Sequence, residues 1–521
     1  MYTVTLQDQT LSAREGELIS ELLQRAGIFH DHPCGGRGTC GKCRVVAFGG
    51  LSAPTQEEKR HLSESELAAG VRLSCMARIT GNAALRLPRA EEQFRTGKKL
   101  SVLSLSPDPT AFPGQVGLAA DIGTTTVAIH FFQLDTGALL YSHTGLNLQR
   151  AFGADVISRL DASSTPEGLA ALAGTVRSQL SEGVSAFTAH CGIPAEQIIR
   201  GSIAANTAML HFLAEIPCIE MATAPFPCPS KFGNTLSGRE LNLPCGDAEI
   251  YLSPCVSAYV GGDITAGMLA GQVDSQPGVT LYLDIGTNGE MILKTPDRLL
   301  ACATAAGPAF EGAGIRCGTG GIPGAITSLS FGEDGSLSLT TIENAPPCGI
   351  CGSGLVSAVA ALLDAGLLDE TGLLCPEDVP ALAHHFIDTE EGPALLLSPA
   401  EDIILTGKDI RAYQLAKAAI AAGIDTLLDR AGLTPGQLDR IFLAGGFGSF
   451  LDIPSCERTG LLPAGATQKT HSLGNAAGHG AALLLTPSCR EEVAALTRRI
   501  DYLELSGDPV FSDAFIDRMC F

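Results

Sequence analysis

Positive charge is scarce in this chain: 34 Lys and Arg stand against 56 Asp and Glu, a formal net charge of −22. That balance argues against non-specific binding to nucleic acid or to an anionic membrane surface, since both need a positive face. It leaves room for a local phosphate site built from backbone N–H groups. Its plain reading is a solvated acidic surface, and the other is selection of a basic protein partner. Long apolar runs are missing as well. Stretches such as AALLLTPS are too short to cross a bilayer, so no membrane span is expected. The opening MYTVTLQDQT has neither a basic n-region nor an apolar h-region, so it is no secretory signal, and a cytoplasmic protein is expected. No G-x-x-x-x-G-K-S/T occurs, which removes a P-loop. AGGFGSF follows an apolar strand but comes too late to open a dinucleotide fold.

What is abundant is glycine, with 60 residues, and cysteine, with 17. So much glycine suits tight turns and close backbone approaches to ligands. Thiols in a cytoplasmic chain point to metal ligation and buried side chains, not to a disulfide framework. At 521 residues the chain exceeds one hydrophobic core, so several domains are expected.

Residues 1–90 read as a first unit. TVTLQ and GELISELLQRAGI give strand, turn and helix, a cysteine-rich loop follows, and VRLSCMARIT and NAALRLP give two short strands. Residues 91–114 have linker composition. Beyond them VGLAADIGTTTVAIHFFQL and TLYLDIGTNGEMILK repeat one grammar about 160 residues apart: an apolar run, Asp-Ile-Gly-Thr, then alternating apolar residues. Two related α/β halves facing a shared cleft are the simplest expectation, over 115–270 and 271–521. IIRGSIAANTAMLHFL and DRIFLAGGFGSFL occupy matching late positions, each as strand, turn and helix.

The loop HPCGGRGTCGKC spaces Cys34, Cys40 and Cys43 as C-x5-C-x2-C, and Cys75 follows in RLSC. Four thiolates are what a 2Fe–2S cluster takes, and plant-type ferredoxins use the close variant C-x4-C-x2-C. The loop glycines let backbone N–H groups point at the cluster sulfurs, and Arg37 and Lys42 offset its negative charge. A zinc knuckle and buried structural thiols are the alternatives, and the knuckle is weakened because it usually needs a second C-x2-C pair. The spacing resembles that of adrenodoxin-like ferredoxins.

Asp121, Gly123, Thr124, Thr125 and Thr126 form a turn whose N–H groups and hydroxyls can cradle phosphate. Asp121, at the strand edge, suits a Mg²⁺ shell reached through water. Asp284, Gly286, Thr287 and Asn288 offer the same chemistry from the other half, so the two turns can clamp a triphosphate. Gly445, Gly446 and Gly448 allow close approach of a flat group such as adenosine. Residues 307–315, with Gly307 and Glu311, and residues 348–355 are further glycine-rich helix starts, where anions are favoured.

In order and spacing this set resembles the acetate and sugar kinase, chaperone and actin superfamily, ASKHA. There the first two motifs are phosphate loops and the third is the adenosine loop, and VGGDITAG at 260–267 matches the hinge. Joined to the cysteine unit, DIGTTT, DIGTNGE, GPAFEGAGI, GICGSGL and AGGFGSFLD resemble the RACo-like reductive activators of corrinoid proteins over nearly the whole chain. The resemblance implies an N-terminal β-grasp ferredoxin-like domain and two RNase H-like lobes. It implies an ATP- and Mg²⁺-linked one-electron reduction of Co(II) to Co(I) in the corrinoid protein of a methyltransferase. A low-potential electron donor and a homodimer are further expectations from it. If relatives carry an extra domain between the cluster unit and the first phosphate motif, it is reduced or absent here.

Two other functions remain open at this point. A small-molecule kinase would need a carboxylate base, for which Asp155 and Asp263 are candidates. A redox-sensing scaffold would bind nucleotide without turnover. SIAANTAMLHFL resembles the family's G-N-T-T-M-x-H pattern, with Ala205 in the glycine position and Asn206, Thr207 and His211 retained. His211 reads first as a packed helix histidine and second as a cobalt ligand. Cys348 and Cys351 read as small buried thiols before a redox or metal pair.

Overall fold

The computed structural model describes residues 1–6, 9–26, 28, 30, 32, 34, 36–38, 41–87, 105–108, 110–400, 402–448 and 450–521. At the N-terminus five strands lie in the spatial order Gln9–Ala13, Tyr2–Leu6, Ile79–Arg86, Arg44–Leu51 and Val71–Leu73. Strand Tyr2–Leu6 is antiparallel to Gln9–Ala13 and parallel to Ile79–Arg86. Its inward Val4 and Leu6 meet Ile19, Leu22 and Leu23 of helix Ile19–Arg25, which closes the β-grasp core. The period-2 alternation of a one-sided sheet selects those residues.

Each repeat of the Asp-Ile-Gly-Thr grammar builds the same sheet pattern. Val116–Ile122 pairs antiparallel with Thr126–Gln133 and parallel with Ile198–Ala205. Thr280–Ile285 pairs antiparallel with Gly289–Lys294 and parallel with Arg440–Ala444. Both motif strands lie inside six-stranded sheets. All seven residues of Val116–Ile122 are buried, and a strand covered on both faces reads as an unbroken apolar run.

Two helices lie between these sheets. On Gly262–Ala270, Ile264 and Met268 pack against Tyr282, Ile292 and Phe442 of the second sheet. Ala266 and Leu269 pack against Ala119, Phe132 and Ala204 of the first. Helix Ala476–Leu483 is shared likewise, through Ala476 on one side and Ala481 and Ala482 on the other. The pair crosses on small residues: a Cβ at Gly480 would sit 2.0 Å from the Ala266 carbonyl oxygen. Long helices cover the outer faces. Phe187 of Pro166–Cys191 stacks on Phe131 at 4.3 Å, and Gly423 of Gly407–Ala431 lies under Met291. Two three-stranded sheets, Leu337–Thr341 with Ala325–Phe331 and Gly349–Ile350, and Phe386–Thr389 with Gly392–Ser398 and Ile403–Thr406, elaborate the second lobe.

Of the segment 91–114, residues 91–104 and 109 lie outside the described residues. Leu105 is buried against the first lobe, its N–H bonded to the Gly137 carbonyl at 2.9 Å, and Asp108 pairs with Arg200 at 2.9 Å. Among the described residues no helix is long and apolar enough to cross a membrane.

Candidate functional site

The first site is the cysteine loop. Cys43 and Cys75 are buried with their sulfurs 3.2 Å apart, and Cys34 is half-buried. Cys40 lies outside the described residues. The Cys75 hydrogen bond draws the Cys43 thiol down to about 7 against the push of burial, and the same contact together with burial pushes Cys75 up. Two turns are held so tightly that only glycine fits. Gly38 has φ +73 with Met76 Sδ 2.9 Å from a would-be Cβ, and Gly41 has φ +64 with His61 Cβ at 2.8 Å. This close wrap and the thiol pair fit a 2Fe–2S cluster.

The strand Val71–Leu73 that leads to Cys75 is fixed by a buried carboxylate. Glu58 accepts from Arg72 Nε and Nη2 at 2.8 and 2.9 Å and from the N–H groups of Leu73 and Thr55 at 3.1 and 2.9 Å. Burial pushes the Glu58 carboxyl up, and these bonds more than offset it, leaving it below its ordinary value. Ser74 then ties the loops together. Its N–H donates to the Cys43 carbonyl at 2.9 Å, and its Oγ bonds His32 Nε2 at 3.0 Å.

The second site lies where the two Asp-Ile-Gly-Thr turns come together. In the first, the Gly123 N–H closes on the Thr126 carbonyl at 2.9 Å. Two fully buried side chains support it. Asn147 Nδ2 donates to the Gly123 carbonyl at 2.8 Å, and Arg159 donates to the Thr124 carbonyl at 2.5 Å and to the Gly153 carbonyl at 2.8 Å. In the second, the Gly286 N–H closes on the Asn288 carbonyl at 2.8 Å, and Thr287 Oγ1 donates to Glu311 Oε1 at 2.8 Å. Glu311 Oε2 is buried with no hydrogen-bond partner among the described residues. Burial pushes the Glu311 carboxyl up, opposed by the Thr287 bond and the Arg150 charge. Gly307 has φ +77 and open space beside it.

Gly445 serves a different need from the one its sequence suggests. With φ +86, a Cβ there would come within 2.3 Å of Asp284 Oδ1. Gly446 and Gly448 complete the turn Gly445–Gly448, and Phe447 stacks on Phe310 at 4.8 Å. Ser449 lies outside the described residues.

Two further carboxylates join Asp121 and Asp284. Asp263 opens the bridging helix, and burial followed by the Asp284 and Asp121 charges pushes it up to about 7. Glu290 is pushed well above its ordinary value by burial, then by Asp263 and Asp284. Asp263 is a candidate carboxylate in the sequence, and Glu290 stands inside the second motif; the charges that meet around them place both in the site. Asn147 and Arg159 carry no local sequence signal at all. Asp155 is a helix cap, accepting from the Ser158 N–H at 2.7 Å and from its hydroxyl at 3.1 Å. His211 uses both ring nitrogens: Nδ1 donates to the Thr207 carbonyl at 2.7 Å, and Nε2 accepts the Ser230 N–H at 3.1 Å. It is a packed helix histidine. Cys351 is a buried thiol, but Cys348, expected to be buried, is exposed, and the two bond separate carbonyls, those of Ile326 and Pro323.

Fold and sites define a class: a ferredoxin-type iron–sulfur domain joined to an ASKHA-type core. Comparison with known proteins makes it particular. The 2Fe–2S iron–sulfur cluster binding domain matches residues 3–80, the RACo middle region matches 116–276, and the C-terminal ASKHA domain of RACo matches 278–521. The middle region thus falls on the first lobe. Corrinoid activation enzyme RamQ of Eubacterium limosum is 34% identical over 420 residues, 78% of this chain and 70% of that protein. The Co(II) methylated amine-specific corrinoid protein reductase of Methanosarcina barkeri is 27% identical over 299 residues, 53% of this chain and 52% of its own. A solved reductive activator for corrinoid, iron–sulfur protein superposes with TM-score 0.70 at 29% identity, covering 100% of this chain and 98% of that one. The chain belongs to the RACo family of reductive activators.

Proposed function

We propose that this chain is an ATP-dependent reductive activator that passes one electron to the Co(II) corrinoid of a methyltransferase corrinoid protein and returns it to Co(I). The observation that carries this reading is the union, in one chain of this family, of a wrapped thiolate loop and a two-turn acidic cleft. When bound, the cluster supplies single electrons. Cys34, Cys40, Cys43 and Cys75 hold it, and Glu58 and Arg72 fix the strand that leads to Cys75. Residues 1–90 carry this chemistry, 91–114 connect it, and 115–270 and 271–521 form the nucleotide lobes.

In the cleft, Gly123–Thr126 and Gly286–Asn288 offer N–H groups and hydroxyls to the triphosphate, and Asp121 and Asp284 hold Mg²⁺ through water. Gly307 and Glu311 line the phosphate end, Gly446 and Gly448 face the adenosine, and Gly445 brings that segment against Asp284 of the second turn. ATP drives an uphill transfer only by favouring one conformation of the complex over another, so the lobes and the cluster domain must respond together. The setting is cytoplasmic, with a low-potential donor upstream and a homodimer as the assembled form. The test is anaerobic: the reduced, cluster-loaded protein is mixed with a Co(II) corrinoid protein, and Co(I) absorbance is followed with and without Mg-ATP. Formation of Co(I) that needs Mg-ATP is expected. Equal rates overturn the coupling, and no Co(I) overturns the activity.

A further inference from the structure

The short helix Val156–Ala162 touches both functional sites. Its inner face carries Val156 and Leu160 into the first-lobe core. Between them Arg159, with no solvent exposure, donates to the Thr124 carbonyl of the first turn and to the Gly153 carbonyl. Its outer face shows Ile157, 43% exposed, and Asp161, half exposed, four residues apart and so on one side. Asp161 is paired with Arg37 of the cysteine loop. Less than two turns long and capped by Asp155, the helix moves as one piece.

We propose that helix Val156–Ala162 is a latch: Asp161 docks the cluster domain through Arg37, and Arg159 makes that docking depend on what occupies the Thr124 turn. The inference rests on the nucleotide reading of that turn and adds its regulation. The physical steps are short. A buried guanidinium cannot lose its carbonyl acceptors without large cost, so Arg159 follows the Thr124 carbonyl when the turn closes on phosphate. The helix shifts with it, and Asp161 shifts on the other side. The Arg37–Asp161 pair is exposed on both partners, 58% and 50%. Pairs of that kind bias an equilibrium by about fivefold at most, so a small part of the nucleotide's binding energy suffices to open or close the latch. The buried Arg72–Glu58 pair nearby, 7% and 0% exposed, has no such freedom. With Arg37 held on the helix, the cysteine loop is turned toward the ASKHA core, and delivering an electron to a protein partner requires its release.

The test uses the full cluster-loaded chain and small-angle scattering with and without the non-hydrolysable analogue Mg-AMPPNP. The wild type is expected to change its radius of gyration on binding. Asp161→Lys is expected to abolish that change while AMPPNP still binds by calorimetry, and the swap Arg37→Asp with Asp161→Arg is expected to restore it. About 0.5 M salt is expected to weaken the response in the wild type, because the pair is screened. If AMPPNP binds and the dimensions stay fixed, or if Asp161→Lys responds like the wild type, the latch is overturned while the nucleotide reading stands. If AMPPNP does not bind, both fall. Neither result depends on whether Co(I) forms.

Discussion

The two glycine turns, at 121–126 and 284–288, share Asp-Ile-Gly-Thr and the same place in their sheets, yet they are held by opposite chemistry. The first is held from behind by donors, Asn147 and Arg159, that bind its carbonyls. The second is crowded by acids: Thr287 gives its hydroxyl to Glu311, and Glu290 and Asp263 press on Asp284. A duplicated motif has thus kept its backbone and diverged in its surroundings. Donor support suits a turn whose N–H groups must stay pointed at phosphate. Acid support suits a turn that must admit a cation.

The largest effect expected from this difference is at glycine. Gly445→Ala places a Cβ against Asp284 at a φ that L residues avoid, and should cost about 3 kcal/mol of stability along with nucleotide affinity. Gly123→Ala meets the Thr126 carbonyl oxygen at 3.2 Å and should cost under about 1 kcal/mol. Thermal unfolding of both variants checks this, and equal losses would erase the asymmetry. Next comes Arg159→Met, which leaves the Thr124 and Gly153 carbonyls without that donor and should cost about 2–3 kcal/mol. Its AMPPNP affinity should fall further than its melting temperature implies, because the first turn loses its backing.

The acid side should announce itself through pH. Asp263 is pushed up to about 7, so the folded chain keeps a proton that the unfolded chain releases near the ordinary carboxylate value. The stability from this group is complete below that value and is lost as pH rises through about 7. A cation entering the cluster must displace the proton. Mg-AMPPNP affinity should therefore rise about fivefold between pH 6 and 7, reach about tenfold by pH 8 and flatten above. Calorimetry in buffers of different ionisation enthalpy counts the proton. Asp263→Asn should remove the part of the slope and of the proton release that falls near pH 7, leaving what Glu290 and Glu311 contribute.

Much of this was legible in the sequence because turn chemistry is local. The cysteine spacing and the paired Asp-Ile-Gly-Thr runs pointed to two candidate sites, and the apolar runs pointed to strands, although Gly289–Lys294, expected to alternate, is buried throughout. What was hidden depends on residues far apart along the chain. Gly445 needs its freedom because of Asp284, a neighbour that no local pattern reveals. Arg159 and Asp161 look like ordinary charges of a short helix, and only tertiary packing separates the buried one from the exposed one. Asp155, considered as a kinase base, stands directly before the apolar pair Val156-Ile157, which is the helix-start signal that identifies a cap.

The finest discrimination between the turns is at their matching threonines. Thr124 is engaged through its main-chain carbonyl, so Thr124→Val leaves the Arg159 contact in place and should be nearly silent for stability. Thr287 is engaged through its hydroxyl. Thr287→Val strips Glu311 Oε1 of its donor while Oε2 already lacks a partner among the described residues, and should cost about 1 kcal/mol. It should also push the Glu311 carboxyl further up, since a bond that favours the charged form is gone. The affinity–pH profile for Mg-AMPPNP should then move to higher pH in the Thr287 variant and stay put in the Thr124 variant. Equal profiles would mean that the second turn does not lean on its acid, and that the two halves differ in sequence without differing in support.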